Sequence, residues 1–174
     1  EGEVWNELIE NAISHKSTLH FIGLLSDGKV HSNINHLEAM LCEAKARGVR
    51  SVRLHALTDG RDVPPVSALD YVNRIEALLE EISSDGFDYC IASGGGRMKI
   101  TMDRYDADWP MIERGWQTHV RGEGRFFNSM SKAIETLRNE NEGILDQDLP
   151  AFVIERNGEA VGPVVDNDSV ILFN

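Results

Sequence analysis

Three short apolar runs, each leaving through a loop of glycine and charged residues before a long helical stretch, constrain this chain more than any other feature. Thr18 to Leu25 (TLHFIGLL) has no polar alternation, the pattern of a strand buried on both faces. Ser51 to Leu57 is the second run and Phe87 to Ala92 the third. Between them, Ile34, Leu37, Met40, Leu41 and Ala44 recur at helical spacing, as do Leu69, Val72, Ile75, Leu78, Leu79 and Ile82. The first of these helices stops at Gly48, a natural residue to follow a helix end, and the second begins shortly after Pro64 and Pro65. Strands joined by helices of this length pair in parallel, so the expectation is an α/β sheet. Val4, Trp5, Leu8, Ile9, Ala12 and Ile13 predict one more helix, over residues 3 to 16.

Beyond the third run the rhythm changes. Trp109, Ile112 and Trp116 predict a helix with the tryptophans in the core, and Phe127, Met130, Ala133, Ile134 and Leu137 another. Ala151 to Ile154 and Glu159 to Val165 flank Asn157-Gly158, a favoured hairpin turn pair. Val170 to Phe173 reads as a last strand, running into the chain end without cap or polar tail. The expected fold is α/β: one domain over residues 1–174, a mainly parallel sheet flanked by helices, with a C-terminal β-hairpin. The bare final strand predicts a domain excised from a longer chain.

Charge narrows the function. Seventeen Lys and Arg against 29 Asp and Glu give a net charge of −12, which argues against general binding to nucleic acid or anionic membrane. No apolar run is long enough to span a bilayer, and the acidic start is unlike a signal peptide. Two cysteines, Cys42 and Cys90, make neither a metal pair nor a disulfide framework, which fits a reduced, cytoplasmic setting. Of the basic residues 12 are Arg and 5 are Lys, a bias toward the planar, bidentate cation that grips carboxylates and phosphates.

In open parallel sheets, ligands bind where the strands end. The three exits here are Ser26 to Ser32 (SDGKVHS), Thr58 to Asp62 (TDGRD) and Ser93 to Arg97 (SGGGR), the last continuing to Met102-Asp103-Arg104. His31, Arg61, Arg97 and Arg104 are therefore expected to converge on one rim, with glycines beside them letting backbone N–H groups approach an anion. Other readings stand beside this one. Asp27-Gly28 and Asp59-Gly60 are common turn pairs, and Arg61, between two acids, also fits an internal ion pair. His20 and His55 read as satisfied core histidines, His36 as a surface residue and His119 as a packing residue. SGGG matches neither a Walker A loop nor a dinucleotide fingerprint. No metal-ligand spacing and no nucleophile motif emerges. The residues themselves lead to an anion-binding rim of an α/β domain without its own nucleophile or metal.

Three motifs in order, LLSDGKVHS (Leu24 to Ser32), HALTDGRDVPP (His55 to Pro65) and SGGGRMKITMDRYDADW (Ser93 to Trp109), closely resemble cofactor-independent phosphoglycerate mutases. The resemblance covers only the inserted substrate-binding, or phosphotransferase, domain of that family. It implies interconversion of 3-phosphoglycerate and 2-phosphoglycerate through a phosphoserine enzyme. It implies substrate contacts at His31, Arg61, Asp62, Arg97 and Arg104. It places the serine and two manganese or similar divalent ions in a phosphatase-like domain absent from this chain, so the chain alone is expected to be inactive and to hold no cofactor. Lys29 and Asn33 depart from the family's usual residues, and the glycine-rich stretch has one residue more than the common pattern. A stand-alone phosphometabolite-binding module is the alternative reading; a small phosphatase-like enzyme is the third.

Overall fold

The computed structural model describes residues 2–102 and 108–174. The β-loop-α units form as β1 (Thr18–Leu25), α2 (Ile34–Arg47), β2 (Ser51–Thr58), α3 (Ala68–Ile82) and β3 (Asp88–Gly96), preceded by α1 (Glu3–His15). Then come α4 (Trp109–His119), β4 (Arg125–Phe127), α5 (Met130–Glu140), a single 3-10 turn (Asp146–Asp148), β5 (Phe152–Arg156), β6 (Glu159–Ala160) and β7 (Ser169–Leu172). Local chemistry fixes the ends. Asn33 and Ser129 cap α2 and α5 by accepting from the backbone N–H of Asn35 and Lys132, and Gly48 closes α2 at φ +92°.

The sheet runs β4-β5-β3-β2-β1-β7, with β6 paired to β5. β1 to β3 are mutually parallel, as are β1 with β7 and β4 with β5. Only β5 runs antiparallel, to β3 and to β6. The sheet is thus mainly parallel and helix-flanked, and the hairpin turns at Asn157 and Gly158, both at positive φ. The hairpin does not end the sheet, because β7 returns to the opposite edge beside β1.

Alternation along the strands sorts two faces. Leu19, Phe21, Val52, Leu54 and Ala56 join the main core with Ile9, Leu37, Leu41, Val72, Ile75, Leu79, Ile134 and Leu137 from α1, α2, α3 and α5. His20, Ile22, Leu24, His55 and Leu57 take the other face. There α4 and the segment around Gly162 lie, with His119 reaching Ser93 and Gly162 resting on Ala92 and Arg53.

Four expectations need correcting. Phe127 belongs to β4 rather than to the helix after it. The strand expected over Glu159 to Val165 ends at Ala160. Trp109 and Trp116 are 71% and 59% exposed, not core residues. The side of α4 that packs inward is Met111, Gly115, Thr118 and His119, because the surface it meets is polar and close. Finally, Ser93 to Gly96 is the end of β3 and not an open glycine loop. Its glycines serve packing rather than anion binding: a Cβ on Gly96 would lie 2.3 Å from the Gln147 carbonyl oxygen, and the Gly96 N–H already donates to Leu149.

Candidate anion-binding site

The loops after β1 and β2 and the end of β3 meet at Asp59, a buried residue that acts as their hub. Its Oδ2 accepts from Ser26 Oγ at 2.7 Å, tying in the β1 exit. Its Oδ1 accepts from the backbone N–H of Arg61 and Asp62, at 3.1 and 3.0 Å, which curls the β2 exit around it. The same oxygen accepts from Arg97 Nη1 at 2.7 Å, tying in β3. Ser26 Oγ accepts in turn from Gly28 N–H at 3.0 Å, closing the first loop. Burial works against an ionised Asp59, yet the hydrogen bonds from Asp62 N–H, Ser26, Arg97 and Arg61 N–H overcome it and hold its pKa below 3.8.

Arg97 is almost wholly enclosed, at 1% exposure. Besides Asp59, its Nη1 donates to Asp62 Oδ2 at 2.5 Å. Burial disfavours its charge, but Asp62 and Asp59 more than restore it and raise its pKa. A guanidinium offers five N–H donors. Here Nε and Nη2 are buried and without a hydrogen-bond partner among the described residues. Such orphaned donors are costly in a folded protein and call for an explanation.

Behind this hub stands Asp146, fully buried at the 3-10 turn. Its carboxylate accepts from Ala68 N–H and Arg138, and its carbonyl from Thr58 Oγ1. Gly60, at φ +69°, lets the β2 exit pass this turn, where a Cβ would lie 2.9 Å from the Pro65 carbonyl.

Four of the five residues singled out from sequence are gathered here. His31 Nε2 stands 3.9 Å from Asp62 Oδ2, so Asp62 links Arg97 to His31. Arg61 is exposed at the same loop, with the Met98 sulfur at 4.0 Å from Nη1. It is Arg97, not Arg61, that forms the internal ion pair. Arg104 lies outside the described residues. The site is an open rim: a nearby open cavity of ≈ 610 Å³ runs from His31 and Lys29 toward β7, and neither Arg61 nor Arg97 lines it. Asp59 and Ser26 carry the construction yet read in sequence as turn residues. Their signal was position, since each is the first residue past a strand of the same parallel set. Among the described residues, no group of three or more His, Cys, Asp or Glu is placed to hold a metal ion. No described helix is long and apolar enough to cross a membrane.

Comparison with known proteins adds the following. The family model described as BPG-independent PGAM N-terminus matches residues 1–174. A probable 2,3-bisphosphoglycerate-independent phosphoglycerate mutase of Leptospira interrogans is 56% identical over 173 residues, covering 99% of this chain and 32% of the relative. The 2,3-bisphosphoglycerate-independent phosphoglycerate mutase of Trypanosoma brucei brucei is 48% identical over 158 residues, covering 90% of this chain and 29% of the relative. A crystal structure of Leishmania mexicana phosphoglycerate mutase superposes with a TM-score of 0.96 at 44% identity, covering 99% of this chain and 32% of that one. The chain thus spans about a third of the length of these relatives.

Proposed function

Since the chain belongs to the family of 2,3-bisphosphoglycerate-independent phosphoglycerate mutases, we propose that it is the substrate-binding domain of such an enzyme, acting on 3-phosphoglycerate and 2-phosphoglycerate. The observation that carries the reading is the meeting of three strand exits around Asp59 and Asp62, where a buried Arg97 with unused donors and His31 both approach the Asp62 carboxylate beside an exposed Arg61. A phosphoglycerate offers one phosphate, one carboxylate and one free hydroxyl. Arg61 supplies a mobile cation for either anion, and Asp62 an acceptor for the hydroxyl. Arg97, clamped by two carboxylates, holds that acceptor in place. Arg104 is proposed as a further anion contact on the sequence resemblance alone.

Local cations dominate over the −12 net charge because a charge-assisted hydrogen bond contributes roughly 1.5–3 kcal/mol. Distant surface carboxylates are screened within about 8 Å at physiological salt. In this reading the nucleophilic serine and two manganese or similar divalent ions belong to a phosphatase-like part of a longer polypeptide, which supplies the phosphoryl-transfer chemistry. The compartment is proposed to be cytoplasmic, where such a glycolytic step runs. The relatives' names give no support to a stand-alone module.

The test is kinetic. In the complete polypeptide that carries this chain, Arg61→Ala is expected to weaken phosphoglycerate binding by about 10- to 150-fold, the equivalent of ~1.5–3 kcal/mol. Unchanged KM and kcat in that variant would remove Arg61 from the site. A wild-type polypeptide that does not interconvert the two phosphoglycerates would overturn the reading itself.

A further inference from the structure

The face of the sheet under α4 carries three buried histidines that the substrate reading does not use. They form one continuous hydrogen-bonded chain. His20 Nε2 meets Asp168 Oδ2 at 3.1 Å, and His20 Nδ1 meets His55 Nε2 at 2.9 Å. His55 Nδ1 meets Ser93 Oγ at 2.7 Å, Ser93 Oγ meets His119 Nδ1 at 2.8 Å, and His119 Nε2 meets Thr101 Oγ1 at 2.9 Å. Asp168 also accepts from the backbone N–H of Thr18 and Val165, so its carboxylate is the acceptor at that end. Neutral imidazole has one donor and one acceptor nitrogen. With Asp168 accepting, the order of protons along the chain is then fixed. His20 and His55 carry theirs on Nε2, Ser93 donates to His55, His119 carries its proton on Nδ1, and Thr101 donates to His119. Burial keeps all three rings neutral by lowering their pKa values, that of His119 to about 4.

The far end of the chain is the informative one. Thr101 has φ +69°, a rare conformation for a β-branched residue. It is the centre of a three-residue turn closed by Met102 N–H donating to the Ile100 carbonyl at 2.8 Å, the strained form of that turn. On one side of this turn is Ile100, fully buried against Leu24 and Leu57 at the strand exits, four residues from the β3 end that carries Arg97. Helix α4 presses directly on the turn: a Cβ on Gly115 would lie 2.5 Å from Thr101 Oγ1 and 3.1 Å from its backbone N. Strain held in place by a fully satisfied buried network points to a function for the strained residue.

We propose that Thr101 is a positioning residue for the phosphoglycerate site: the chain from Asp168 through His119 anchors its hydroxyl, fixing the strained turn that follows buried Arg97 and seats Ile100 against the strand exits. The inference rests on the substrate reading above and adds to it a residue that does not itself touch the ligand.

The test compares Thr101→Val and Thr101→Ser in the complete polypeptide. Valine keeps the branched shape and removes the hydroxyl; serine keeps the hydroxyl. Thr101→Val is expected to raise KM for 3-phosphoglycerate about tenfold, and Thr101→Ser to stay within about twofold of wild type. Equal KM and kcat in wild type and Thr101→Val, or equal impairment in both variants, overturns the proposal. A wild type without mutase turnover instead overturns the substrate reading, and this inference with it. Should Thr101→Val fail to fold, ring nitrogen NMR of the wild type decides the anchoring: protons on Nε2 of His55 and Nδ1 of His119 support it, and a proton on Nε2 of His119 overturns it.

Discussion

On one face of the sheet, Phe21, Leu54 and Ile75 sit among apolar neighbours from four helices; on the other, His20, His55 and His119 sit among hydroxyls and a carboxylate under a single helix. Both sets are fully or almost fully buried. The apolar face gains from area removed from water, a non-directional force that tolerates repacking. The polar face gains little net stability from its hydrogen bonds but loses heavily if one partner is missing. The first arrangement holds the fold together, and the second holds one geometry. That division matches the site, whose Ser26, Asp59 and Arg97 are also held by directed bonds rather than by packing.

The contrast breaks most visibly at Phe21. Phe21→Ala is expected to cost about 3–5 kcal/mol in chemical denaturation, the range for emptying an aromatic site in a close-packed core. A cost under about 1 kcal/mol would mean that the apolar face is not the one holding the fold. The polar face responds to acid instead. Its histidines have folded pKa values below the ordinary 6.5, so the unfolded state binds protons first as pH falls. Stability from His119 is complete above pH 6.5 and is lost as pH drops toward about 4, on the order of 3 kcal/mol for that group. Asp59, held below 3.8, adds its loss only lower, as pH falls through its folded value. Denaturation curves that coincide between pH 6.5 and 4 would show these rings to be charged in the folded protein.

The same contrast explains what could be read before the fold was seen. The apolar face was legible, because a strand buried on both sides and a helix with one apolar stripe leave periodic marks: Leu37, Leu41 and Ala44 on α2, Val72, Ile75 and Leu79 on α3. The meeting of His31, Arg61 and Arg97 was legible too, from the rule that parallel strands end on one side; Asp62 entered only through the family resemblance. Which arginine lies inside was not. Arg61 stands between two aspartates in sequence, but the loop curls around Asp59 and turns Arg61 outward, while β3 delivers Arg97 inward across the sheet. The histidine chain left no periodic mark, since its members come from β1, β2, β3 and α4 and become neighbours only through strand register. Trp109 and Trp116 misled because apolar spacing shows that a helix has a stripe, not that a partner covers it.

Two smaller effects sharpen the comparison. Ser93→Ala removes the hydroxyl between His55 Nδ1 and His119 Nδ1 and leaves both rings with an unmatched buried nitrogen. A loss of about 1–3 kcal/mol is expected, though the substitution deletes a single atom and makes almost no cavity. A loss as small as that of a surface change would show that the chain is not continuous at Ser93. Trp109→Ser is the opposite case. It deletes a large apolar side chain, yet one that is 71% exposed on the outer side of α4. Little area is returned to water, and the expected change in stability is within about 0.5 kcal/mol. The pair sets one buried oxygen against a whole indole, and the oxygen is expected to matter more. If thermal melts show Ser93→Ala to cost no more than Trp109→Ser, the directed-bond account of the face under α4 is wrong.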